Sequence, residues 1–234
     1  MTRRLGSAAL VVLALSFGAM GCAPEPESPS VAPTTSAPPA TTTPTPAPPT
    51  EEPWVRFVDD RMVYSFETPP GWTVEEVPSA YAPEELLQYV IRDSDGAEQL
   101  YFSSAVIGLG GSCESLPALG LEELDVVPAE IPGYVPAADT SFTPLVPPRV
   151  VFRAAETESG VIGSIALDDT QPIDACFIYN LLHPAAGPMT FADSTQVSAN
   201  FPPRTFASMD EARAFVDTEE YATLQRILRS LRIG

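Results

Sequence analysis

The stretch Met62-Val63-Tyr64-Ser65-Phe66, with Pro69-Pro70-Gly71 and Trp72-Thr73-Val74 behind it, decides how the chain folds. Met62, Tyr64 and Phe66 alternate onto one side of an extended segment, the period of two that marks a strand. Pro69-Pro70-Gly71 forces a turn, because proline presets φ and glycine accepts a positive φ at no steric cost. Trp72-Thr73-Val74 then resumes the extended pattern, so the chain enters its folded part as strand, turn, strand.

Toward the C-terminus the pattern recurs. Leu87 to Arg92 and Leu100 to Ile107 are apolar runs separated by Asp93-Ser94-Asp95-Gly96, which predicts a hairpin. Arg149 to Ala155 and Val161 to Leu167 predict a second one around Glu158-Ser159-Gly160. Asp125 to Pro148 holds six prolines and is expected as short edge segments and irregular loop. Ala175 to Leu182, apolar on both alternating faces, is expected as a strand near the sheet centre with helix over one side. Asp168-Asp169, just before it, is expected in a solvated loop.

Ser208 and Glu211 fit a capping box, and a second helix start falls at Asp217 with Glu220 three residues on. Tyr221, Leu224, Ile227, Leu228 and Leu231 form one apolar stripe at helical spacing. Glu219 and Glu220 occupy its first turn, and Arg226, Arg229 and Arg232 lie toward its end, as the helix dipole favours. The fold class expected is α+β: an antiparallel β-sheet packed against a C-terminal helical segment.

The run from Phe66 through Trp72, with its Pro-Gly-Trp turn, resembles the opening of actinobacterial cell-envelope lipoproteins with a PsbP-like sandwich domain. Phe206-Ala207-Ser208, Asp210-Glu211-Ala212 and Tyr221 to Leu231 resemble the closing helical segment of the same group. The resemblance implies that the opening strand, turn and second strand begin an antiparallel sheet flanked by helices. It also implies an extracytoplasmic location and a binding or assembly role with no shared catalytic residues.

Toward the N-terminus the chemistry changes. Thr2-Arg3-Arg4 is positive, and Leu5 to Phe17 is uncharged and largely apolar, the make-up of a secretory signal. The run is shorter than the roughly 20 apolar residues a membrane span needs, so a cleaved leader is expected. Ala19-Met20-Gly21-Cys22 resembles a bacterial lipobox, in which a diacylglyceryl group joins the cysteine sulfur before cleavage. That resemblance implies lipidation at Cys22 and removal of residues 1–21; ordinary cleavage leaving Cys22 unmodified is the alternative. Each buried methylene contributes about 0.8 kcal/mol, and stable mooring takes two or more acyl chains. The membrane, reached through lipid on Cys22, is therefore an expected partner.

Between Cys22 and Trp54 lie 31 residues, 11 of them proline and most others Ala, Thr or Ser. Residues 22–53 hold too few large apolar side chains to offset the entropy of ordering, and proline biases them toward an extended form. At about 3.1 Å per residue such a disordered tether reaches on the order of 90 Å. Residues 54–234 are long enough for a single globular domain. The localisation expected is extracytoplasmic, on the outer face of the cell membrane.

The formal net charge is −19, and all twelve basic residues are arginine. Lysine chemistry is thereby excluded: Schiff bases, lysine general bases and the phosphate-loop lysine. The acidic excess argues against nucleic acid as a partner and against flat adhesion to anionic lipid. Gly108-Leu109-Gly110-Gly111-Ser112 is no dinucleotide loop, since Pro117 and Gly120 interrupt any following helix; it is expected as a loop that lets Cys113 reach a partner. Asp93-Ser94-Asp95-Gly96 lacks the remaining ligands of a calcium loop. No metal or cofactor is expected.

With Cys22 assigned to lipid, Cys113 and Cys176 remain, and an exported chain with an even residual pair is expected to join them in a disulfide. Two free thiols, or a metal pair with His183, are the alternatives. His183 is the only histidine and is expected exposed in a loop. No Gly-x-Ser-x-Gly elbow accompanies it. The leading expectation is a non-catalytic envelope lipoprotein that binds a protein, a glycan or a small apolar ligand. The competing reading is a cell-wall-directed hydrolase with a carboxylate pair.

Overall fold

The computed structural model describes residues 52–79, 86–111, 113, 116–138, 144–171, 175–200 and 202–234. The leader, Cys22 and the tether up to residue 51 lie outside the described residues. The elements are β1 (Val55–Val58), β2 (Tyr64–Thr68), β3 (Thr73–Glu76), β4 (Gln88–Arg92), β5 (Glu98–Ser103), β6 (Glu122–Pro128), β7 (Leu145–Thr157) and β8 (Gly160–Thr170). They continue as β9 (Phe177–Tyr179), β10 (Thr190–Ala192), β11 (Gln196–Ser198), β12 (Arg204–Phe206), α1 (Met209–Phe215), α2 (Glu219–Arg229) and β13 (Arg232–Ile233).

The strands form mostly antiparallel sheets, with two short helices near the C-terminus. The large sheet runs β3-β4-β5-β10-β8-β7-β6, with β12 also paired to β8; a small sheet runs β1-β2-β13, and β9 and β11 form a ribbon. Two sequence-predicted hairpins are in place. Asp93 turns the first, its Oδ1 accepting from the amides of Asp95 and Ala97 at 2.9 Å, as an aspartate does when it replaces a backbone partner in a tight turn. The second, β7–β8, is closed by Glu158-Ser159 between the paired Thr157 and Gly160. β6 takes the sheet edge, and the β7–β8 register shifts between Leu145 and Arg149, where Pro147 and Pro148 have no amide to donate.

The opening strand-turn-strand differs from expectation in one respect. The turn forms, with Gly71 at φ +82° and the Trp72 amide donating to Pro69 O at 3.3 Å. But β2 and β3 do not pair; the turn passes the chain from the small sheet to the edge of the large one.

Alternation then sorts the core. From one face of β7 and β8, Val150, Phe152, Ile165 and Leu167 pack with Tyr221, Leu224, Ile227 and Leu228 of α2. Phe66, Phe102 and Phe191 knit β2, β5 and β10 together, with ring centroids 4.9 to 5.5 Å apart. From the other face, Ala155 and Ile162 pack on Ile178 of β9 and Val197 of β11. The expectation of a central strand over Ala175 to Leu182 is therefore corrected: only three residues are strand, in a ribbon that covers the sheet. Its apolarity on both sides arises because the ribbon lies between sheet and overlying loop.

The helix ends follow hydrogen-bond geometry. Ser208 Oγ accepts from the Glu211 amide at 3.2 Å, while Glu211 reaches Ala207 N at 2.7 Å, one residue beyond the expected cap. α2 is capped by Thr218, not Asp217: Thr218 Oγ1 accepts from Tyr221 N at 3.1 Å, and the Asp217 amide closes α1 onto Ala214 O. Arg232, expected at the end of the helix, lies in β13 opposite Ser65.

Candidate functional site

The site lies where the β7–β8 hairpin meets the ribbon. The loop along one side of it leads into a bond between Cys113 and Cys176, whose Cα atoms are 5.6 Å apart. The glycine-rich loop before Cys113 lies down along β9. Tyr179 donates to Gly110 O at 2.8 Å and accepts from Gly110 N at 3.1 Å. At Gly111 a Cβ would come 2.4 Å from the Phe177 ring, so any other residue would require that ring to shift. The sequence expectation of a disulfide between Cys113 and Cys176 is thus met, and its second consequence is to hold this loop against the ribbon.

The floor is a buried charge cluster. Arg153 is 4% exposed; its Nη1 donates to Asp168 Oδ2 at 2.8 Å, and its Nε and Nη2 donate to Glu123 Oε1 at 3.2 and 3.1 Å. Arg149 shares Glu123 through contacts of 3.1 and 2.8 Å. Thr170 Oγ1 donates to Asp168 Oδ1 at 2.8 Å. Every charge removed from water here has a counter-charge, as burial requires.

Asp169, one residue on, points to the opposite face of the strand, and it too is fully buried. Tyr134 donates to its Oδ2 at 2.6 Å, the His183 amide donates to the same oxygen at 2.7 Å, and His183 Nδ1 lies 2.7 Å from Oδ1. Burial and then the adjacent carboxylate hold the Tyr134 hydroxyl well above the ordinary phenol range, so it stays a donor. Two expectations are corrected. Asp168-Asp169 is not a solvated loop but the buried end of β8, and His183 is not an exposed loop residue, its side chain being 18% accessible. An acidic pair looks solvated in a one-dimensional reading because its counter-charges come from other strands.

These groups enclose a cavity of about 200 Å³. Leu109, Leu121, Ile178, Tyr179 and Leu181 supply its apolar lining, and Arg153, Asp168, Thr170, Gln171 and His183 its polar lining. A wider hollow of about 1000 Å³ beside the disulfide has only exposed carboxylates, Glu156 and Glu158, in its wall.

A third buried acid, Asp193, sits beside β8 just past the end of β10. Asp193 accepts from Ser164 Oγ at 2.6 Å, from Ile165 N at 3.0 Å and from Arg204 Nε at 3.1 Å. Burial nonetheless pushes its carboxyl up from 3.8 to about 6, outweighing Arg204 and the hydrogen bonds. A carboxyl that holds its proton more tightly folded than unfolded adds stability below its unfolded pKa and loses it as pH climbs through the folded value. The stability of the wild type minus that of Asp193→Asn should therefore fall by about 3 kcal/mol between pH of about 4 and just above 6. Urea unfolding across that range measures it; a flat or rising difference would refute the assignment.

Sequence reasoning missed Arg153, Tyr134 and Asp193. Arg153 alone carried a signal, a cation inside the apolar run Val150-Val151-Phe152-Arg153-Ala154-Ala155. Among the described residues no three His, Cys, Asp or Glu side chains are placed to hold a metal ion, and no helix is long and apolar enough to cross a membrane. No protein-family model, curated protein or solved structure matches the chain.

Proposed function

We propose that this chain is an envelope lipoprotein, moored outside the cytoplasmic membrane through Cys22. Residues 54–234 form a PsbP-like sandwich that takes a small, largely apolar ligand into the cavity between the β7–β8 hairpin and the ribbon. The observation that carries the reading is the Cys113–Cys176 bridge. Disulfides persist outside the reducing cytosol, and this one anchors the far end of the loop whose Leu109 lines the cavity. The lipobox-like Ala19-Met20-Gly21-Cys22 and the proline-rich stretch behind it give the bridge its topological context. The cavity meets the general form of a ligand site, apolar walls with a few convergent polar groups.

The hydrolase alternative has less support. Asp168 in the cavity lining and Asp169 beside it in the strand already accept from Arg153, Thr170, Tyr134 and His183. An acid–base pair has to offer oxygens to substrate and water. In the native host, Cys22→Ala should release the protein into the medium and abolish metabolic palmitate labelling. A labelled, membrane-retained variant would overturn the anchoring.

A further inference from the structure

We propose that Asp169 fixes His183 as a hydrogen-bond acceptor facing the cavity, so that the ligand is a ring-sized apolar molecule carrying one hydroxyl donor, a phenol. This rests on the cavity being the ligand site.

Three observations carry it. First, His183 Nδ1 is 2.7 Å from Asp169 Oδ1, and the same carboxyl already accepts from the Tyr134 hydroxyl and the His183 amide, so the geometry assigns Nδ1–H as a third donor to it. Asp169 is itself held by Tyr134 and the His183 amide, so it cannot turn away. In the neutral ring the proton on Nδ1 leaves Nε2 as an acceptor. Nε2 makes no hydrogen bond among the described residues, and His183 lines the cavity. Secondly, the volume is about 200 Å³, whereas an apolar cavity of about 150 Å³ suffices for benzene. One ring with one substituent fits. Thirdly, charge narrows the class. Arg153 and Asp168, the charged groups of the lining, are paired with each other, so neither offers an unpaired partner to a ligand ion, which leaves a neutral donor.

His183 is the only histidine in the chain, so 15N-imidazole labelling of the full protein reports on this residue alone. At a pH where its signals show a neutral ring, the proton is expected on Nδ1. Phenol should shift Nε2 saturably and bind about tenfold more tightly than toluene, the ratio expected of one net hydrogen bond. In Asp169→Asn, the amide nitrogen can donate to Nδ1 and move the ring proton to Nε2. Preference should then pass from phenol to benzonitrile, which only accepts. A proton on Nε2 in the wild type, or equal affinity for phenol and toluene, would overturn the proposal while leaving the cavity as a ligand site. Binding of neither would overturn the cavity reading itself. The wild-type measurements decide the matter even if Asp169→Asn fails to fold.

Discussion

Arg153→Ala is expected to destabilise the domain by about 3–5 kcal/mol, the range for removing one partner of a buried ion pair. The loss comes less from the contacts than from what stays behind. Glu123 and Asp168 remain, and Asp168 is fully buried with its Oδ2 bound to the guanidinium. Desolvation of a carboxylate is not recovered when its counter-ion has gone. The double substitution Arg153→Met, Asp168→Asn removes one charge of each sign, leaves Glu123 paired with Arg149 and should recover much of the deficit. Urea unfolding of the three proteins, wild type included, forms the comparison. A single-variant loss below about 1 kcal/mol would place the pair in the class of solvated surface bridges.

Opening the Cys113–Cys176 bond should cost about 4 kcal/mol, because the bond removes a loop of 63 residues' separation from the freedom of the unfolded chain. Unfolding midpoints with and without reductant, and of the Cys113→Ser/Cys176→Ser double variant, test the figure. The denatured, unreduced domain should show no free sulfhydryl from either residue; one thiol or more per chain would refute the bond. Cavity binding should weaken on reduction as well, since the loop bearing Leu109 is pinned to the ribbon through this bridge and Tyr179.

The hairpins, the edge position of β6 and the α2 stripe were legible because each depends on residues near one another in the chain. The disulfide was legible from residue counting, since one odd cysteine had another assignment. The pairing of β2 with β13, and of β10 with β5 and β8, was not, because these pairings join residues from more than twenty to more than a hundred positions apart. The site failed to show for the same reason. Asp168 finds Arg153 across a hairpin, Asp169 finds Tyr134 and His183 from two separate loops, and no local pattern records either meeting. Ala175 to Leu182 misled because apolarity on both sides has two origins: a strand inside a sheet, or a ribbon pressed between a sheet and a loop.

One part of the sheet bears on how the molecule is made. Among the described residues, three-residue β10 is the one strand that pairs both the β3-β4-β5 meander and the β8-β7-β6 meander, Thr190 with Ser103 on one side and Ala192 with Ala166 on the other. Ribosome and secretion channel alike deliver a polypeptide amino end first. Until positions 190–192 arrive, neither β5 nor β8 can have its final neighbour along that edge. The insertion of a single short segment, late in emergence, joins the two meanders into one continuous surface.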